Sequence, residues 1–138
     1  MPGIDECLLE AMTLPGARGA AIVDWTSGLA LGSVGDPAGG DHETTAAETA
    51  EMARAAAEFA VFAPDPAEPG GTSAAGSPEG PAVEDLMVAT RTAFHLMHFV
   101  ETTFDSSAFL YLWLDRRTGN LALARMRLRD LSVRLVLG

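Results

Sequence analysis

Residues 43–62 read ETTAAETAEMARAAAEFAVF, and the assignment of this stretch decides the fold. Twenty residues without Gly or Pro, rich in Ala, Glu and Met, predict one long helix. Asp41 or His42 stands where a cap is needed, and Glu43 suits the positive helix end. The helical wheel divides into three sectors. Met52, Ala55, Phe59 and Phe62 form a bulky stripe suited to covering a sheet. Glu51, Arg54 and Glu58 form a solvated face, with Arg54 and Glu58 at the spacing of an ion pair worth a few tenths of a kcal/mol. Ala46, Ala50, Ala53, Ala57 and Ala60 recur at the alternating spacing of a helix–helix seam. Alanine also fills solvent-facing helix simply because its propensity is best. Five in register favour the other reading, in which small side chains let two helices approach, and they predict a seam between two copies of the chain. Such an interface should bury more than roughly 1,000 Å².

Upstream, Ile4, Leu8, Leu9 and Met12 mark an amphipathic helix over 3–13, stopped by Pro15–Gly16. Residues 19–25 and 29–33 read as strands joined by a Thr26–Ser27–Gly28 turn. Downstream, 63–82 (APDPAEPGGTSAAGSPEGPA) is too poor in apolar residues to offset ordering entropy, which predicts a disordered loop inside a single domain spanning 1–138. Strands follow at 83–90, 93–101 and 108–114, with a hairpin at Arg91–Thr92 and a polar link at 102–107. They are apolar on both faces, so the sheet should be covered on both sides. Residues 120–137 begin with strand-like alternation, but Leu121, Ala124, Leu128, Leu131 and Leu135 carry a helical repeat further, and a helix is predicted. The order is α-β-β-α-β-β-β-α: an α+β fold with a five-stranded antiparallel sheet and helices on both faces.

Composition narrows the function classes. The 138 residues carry nine Arg and no Lys, which removes a Walker lysine, a Schiff base and a lysine general base. The net charge of −10 is uneven: −3 over 1–35, −10 over 36–85 and +3 over 86–138. A pI near 4.5 argues against nucleic acid as a partner. Cys7 is the only cysteine, so no intrachain disulfide forms, and it reads as a packed small hydrophobe. With no apolar run near the ~20 residues of a membrane span and no signal-peptide pattern at the start, a cytoplasmic protein without membrane insertion is expected.

No catalytic constellation emerges. His95 and His98 fall on opposite faces of a strand, which argues against a metal site. No serine lies in a G-x-S-x-G elbow, Glu84 and Asp85 are adjacent and point apart, and the glycines of GSVGDPAGG lack the phosphate-cradle spacing. No cofactor, metal or catalytic residue is assigned. Arg116, Arg117, Arg125, Arg127, Arg129 and Arg134 read first as a solvated helix face and second as a docking surface for an acidic partner.

Taken together, IDECLLEAMTLPGARGAAIVDWTSGLALGS and FLYLWLDRRTGNLALARMRLRDL resemble the opening and the ending of roadblock / dynein light chain family domains. The resemblance covers nearly the whole chain except about 63–82, which looks like an insertion. It implies a roadblock / profilin-like fold and a homodimer in which middle helices pair and third strands meet edge to edge. It also implies regulation or scaffolding of a small Ras-like GTPase, as in the bacterial branch of gliding-motility GTPase regulators. Operons of that branch also encode a sensor-kinase-like membrane protein. No obligatory cofactor is implied. On this reading the chain is a non-enzymatic adaptor that meets the GTPase through Glu51, Arg54 and Glu58 on the paired helices, and an arginine-finger role for Arg54 is the less favoured variant. The alternative is a small-molecule-sensing α+β domain without a GTPase partner.

Overall fold

The computed structural model describes residues 3–63, 83–100 and 107–137. Its elements are α1 (Ile4–Ala11), β1 (Ala17–Asp24), β2 (Leu29–Gly35), α2 (His42–Glu58), a 3-10 turn (Ala60–Phe62), β3 (Asp85–Ala89), β4 (Ala93–Val100), β5 (Ala108–Asp115) and α3 (Leu121–Leu137). The strands form one antiparallel sheet in the order β2-β1-β5-β4-β3. This is the element order expected from the sequence. The predicted loop lies, beyond Ala63, outside the described residues, as do residues 101–106 around the polar link.

Local chemistry sets the boundaries. Asp24 ends β1 and organises the hairpin. Its Oδ1 accepts hydrogen bonds from the Thr26 amide (2.9 Å), the Thr26 hydroxyl (2.7 Å) and the Ser107 hydroxyl (3.1 Å). Gly28 completes the turn at φ +78°, a conformation that costs an L side chain strain. The Asp41 carboxylate caps α2 by accepting from the Thr44 amide at 2.6 Å, and Asn120 Oδ1 caps α3 by accepting from the Leu123 amide at 3.0 Å. That cap settles the ambiguous start of α3 as helix. The turn after α1 meets the turn before α3 backbone to backbone. Gly16 has φ +77°, and a Cβ there would stand 2.6 Å from the Gly119 Cα and N.

Strand alternation divides the core into two layers. On one face, Ala20, Ile22, Leu96, Leu110, Leu112 and Leu114 pack under Leu8 of α1 and Leu128 and Leu131 of α3. On the other, Ala21, Val23, Met97, Phe99, Phe109 and Tyr111 pack with Ala46, Ala50 and Ala53 of α2. Helices therefore cover both faces, as expected, but α2 turns to the sheet the sector opposite to the one predicted. Ala46, Ala50 and Ala53 are 2%, 2% and 0% exposed, whereas Met52 and Phe59 of the bulky stripe are 45% and 56% exposed. The reason lies in the sheet. Its α2-facing side already carries Phe99, Phe109 and Tyr111, so the layer volume is filled from below and the helix must be small to close the gap. The helix also ends at Glu58, four residues short of the predicted end, because Phe59 is extended (ψ 130°) and the chain continues as a 3-10 turn.

Gly16→Ala should lower the unfolding free energy by roughly 2–4 kcal/mol, since it adds strain at positive φ and a backbone clash at Gly119. Chemical denaturation against the unaltered chain measures it; an unchanged midpoint would contradict the close approach.

Candidate functional site

Helix α2 offers two exposed sides. Along one, Glu43, Ala47, Glu51 and Arg54 face the β1–β2 hairpin, and with Ser27, Gly28, Leu29 and Ala30 they line a groove open to solvent. Its walls bear acids, and its apolar surface comes from Ala47, Ala50, Leu29 and Ala30. Glu51 and Arg54 thus come together, while Glu58 lies further along the helix. The Arg54–Glu58 ion pair allowed by spacing is not among the ion pairs formed by the described residues.

Along the other side run Met52, Phe59 and Phe62, all exposed, with the Phe59 and Phe62 rings stacked at 6.5 Å. Three of the five seam alanines (Ala46, Ala50 and Ala53) are taken up by the chain's own core, so a second chain cannot touch them without unfolding this one. Ala57 is half-buried and Ala60 exposed. The wheel alone could not distinguish a helix seam from a sheet contact, because both ask for small residues at the same spacing. The partner of the stripe became visible only once the aromatic sheet face was in place.

The histidines fall as the strand reading requires. His95 and His98 occupy opposite faces of β4, and among the described residues no group of three His, Cys, Asp or Glu side chains is placed to hold a metal. On the α2 side, a row of planar groups crosses the sheet. The Arg18 guanidinium lies 4.8 Å from the Trp113 ring centre, Trp113 stacks on His95 at 5.9 Å, and His95 Nδ1 shares a 2.7 Å hydrogen bond with the Tyr111 hydroxyl. On the α3 side, His98 is 9% exposed and its Nδ1 is buried without a partner. Burial pushes the imidazole pKa of both histidines down; at His98, Arg125 and Arg129 add to this and Asp85 and Glu84 oppose it.

The arginines of α3 mostly serve the fold. Arg125 forks onto Asp85 (2.7 and 3.2 Å), and Arg127 and Arg134 converge on Glu10 of α1. The Arg134 guanidinium bond holds the Glu10 carboxyl below the usual range. Arg116, just after β5, donates to the Thr90 carbonyl at 2.8 Å and lies 5.1 Å from the Phe94 ring centre. No described helix is long and apolar enough to cross a membrane.

No sequence profile of a known family matches the chain, and no curated protein matches it. Solved structures do. Myxococcus xanthus MglB superposes with a TM-score of 0.71 at 20% identity, over 96% of this chain and 91% of that one. A Roadblock/LC7 domain from Streptomyces avermitilis superposes with a TM-score of 0.62 at 17% identity, over 95% and 92%. The fold is the roadblock fold. In both matches, coverage of the two chains is nearly complete, so the roadblock architecture accounts for the chain from α1 to α3.

Two outcomes follow from the packing of the roadblock core. Ala53→Glu should abolish cooperative unfolding, because a carboxylate under α2 has no partner and costs several kcal/mol; a folded variant by circular dichroism would refute the assignment of this face. The second concerns pH. The half-buried His95 and the buried His98 both bind protons less readily folded than unfolded, so stability should fall as pH drops through the ordinary imidazole value of about 6.5. The slope should be at most about 1.4 kcal/mol per pH unit per histidine between roughly pH 7 and 5. Urea midpoints across that window check it, and His98→Leu should flatten the curve.

Proposed function

We propose that the chain is a non-enzymatic, dimeric adaptor for a small Ras-like GTPase in a bacterial signalling system. The observation that carries the dimer is the exposed trio of Met52 on α2 and Phe59 and Phe62 just beyond its C-terminal end. All three are apolar, the two rings stack on each other, and a monomer would leave them in water. Among the described residues, β3 is an edge strand paired only with β4. A second copy meeting β3 edge to edge and laying its own α2 beside this one would cover both features. The dimer contact then runs through Met52, Ala55, Phe59 and Ala60, displaced by one helix face from the alanine seam.

Support for a GTPase partner comes from the sequence resemblance and from the roadblock fold shared with MglB. Glu51, Arg54 and Glu58 remain the proposed contact, since they lie on α2 outside the core. A sensor-kinase-like membrane protein of the same operon and a cytoplasmic location belong to the same reading. The small-molecule alternative draws no support from the two cavities that described residues of α2 line. The void between α2 and the sheet has room for about one water molecule, and the groove by the hairpin is open.

Met52→Glu with Phe59→Glu should halve the mass measured by light scattering while leaving the far-UV circular dichroism unchanged, because neither side chain is in the core. Retention of a small GTPase from the native host in the presence of a GTP analogue, weakened with GDP, tests the partner. An unaltered mass, or no GTPase retained in either nucleotide, would remove the respective half of the proposal.

A further inference from the structure

We infer that the outer edge of β2 is a second recognition site, which takes an extended, basic segment of a partner protein as a sixth strand. The inference goes beyond the adaptor reading and depends on neither the dimer nor the GTPase. β2 is the terminal strand at the end of the sheet away from β3. The Asp36 amide donates to the Arg18 carbonyl at 2.9 Å, so Ala20 and Val34 form a hydrogen-bonded pair and the Ser33 amide and carbonyl point away from β1. Among the described residues no backbone group reaches β2 from that side, and the one ring contact is His42 Nε2 with the Gly35 carbonyl at 3.1 Å.

The strand's sequence, LALGSVG, lacks the charges and prolines that ordinarily blunt an edge. Its single irregularity is the bulge at Leu31, which has no counterpart on β1. Leu29 and Leu31 are 65% and 51% exposed beside it. Open main-chain groups with apolar side chains at hand are what strand addition uses.

Charge fixes the occupant. On the α2 side of the strand, the groove wall carries Glu43, Glu48 and Glu51 against Arg54. On the α1 side, Asp5 Oδ1 comes within 3.9 Å of where a Gly32 Cβ would sit. An added strand thus meets carboxylates on both faces, which selects basic residues along it and an apolar residue near Leu29 and Leu31. A second copy of this chain does not meet that description: most of its α3 arginines are engaged with Asp85 and Glu10, on a helix.

The test uses the full chain and a ten-residue peptide of alternating Arg and Val, with a matched peptide N-methylated at every second amide, which keeps the charges and blocks the ladder. At 150 mM salt, amide shifts on titration should cluster in Leu29–Gly35 and along Glu43–Arg54. N-methylation should weaken binding at least tenfold, and Glu43→Gln with Glu51→Gln at least fivefold. Equal affinity for the N-methylated peptide, shifts centred on β3, or no binding of the first peptide would each overturn the inference. Scattering mass is measured on the same samples, and Met52→Glu should bind the peptide normally, so loss of the dimer and loss of the β2 site are read separately.

Discussion

Helix α2 rests on the sheet through Ala46, Ala50 and Ala53, above Phe99, Phe109 and Tyr111. The contact is asymmetric in volume: the sheet supplies the bulk and the helix supplies the closeness. Each further methylene on the helix side would have to displace aromatic rings already packed at crystal-like density. The contact therefore fixes the height of α2, its rotation about its own axis and so the identity of every residue it shows to solvent. Met52, Phe59, Glu51 and Arg54 are surface residues because the alanines are not.

Much of the architecture was legible in the sequence, because it is written in local signals. Thr26, Ser27 and Gly28 specify a turn, Asp41 specifies a helix start, and the unbroken apolar run 108–114 specifies a strand buried on both faces. Each of these depends on neighbours within a few residues. The orientation of α2 does not. It depends on Phe99, Phe109 and Tyr111, which lie 40 or more positions away along the chain. A wheel read by itself assigns bulk to the core and smallness to a partner, and here the sheet takes the small residues and leaves Met52 and Phe59 exposed. The same limit hid the groove: Glu51 and Arg54 were visible as a polar face, but only the folded hairpin sets Leu29 and Ala30 opposite them. Arg125, Arg127 and Arg134 also changed meaning once Asp85 and Glu10 stood beside them, since those carboxylates are distant in sequence and adjacent in space.

The division of labour between the two sides of the sheet bears on function. One side is closed by α1 and α3, which are tied to each other through Glu10, and α3 is tied to β3 through Asp85. The other holds a single helix whose far surface is partly apolar and partly acidic. Three of the ion pairs of the described residues therefore gather on the α1/α3 side, while the exposed large apolar side chains Met52, Phe59 and Phe62 lie at α2 and just beyond its end.

The chain's two tryptophans sit at opposite ends of that second side. Trp25 follows β1 and meets Phe99 edge-on at 6.5 Å, whereas Trp113 is sandwiched between Arg18 and His95 and donates its indole N–H to the Asp36 carbonyl at 2.8 Å. The two indoles therefore emit from dissimilar surroundings, one set edge-on against a phenylalanine ring and one flanked by a cation and a titratable ring. The molecule carries its own pair of optical reporters, and single replacement of either would leave a fluorophore assigned to a known end of the sheet.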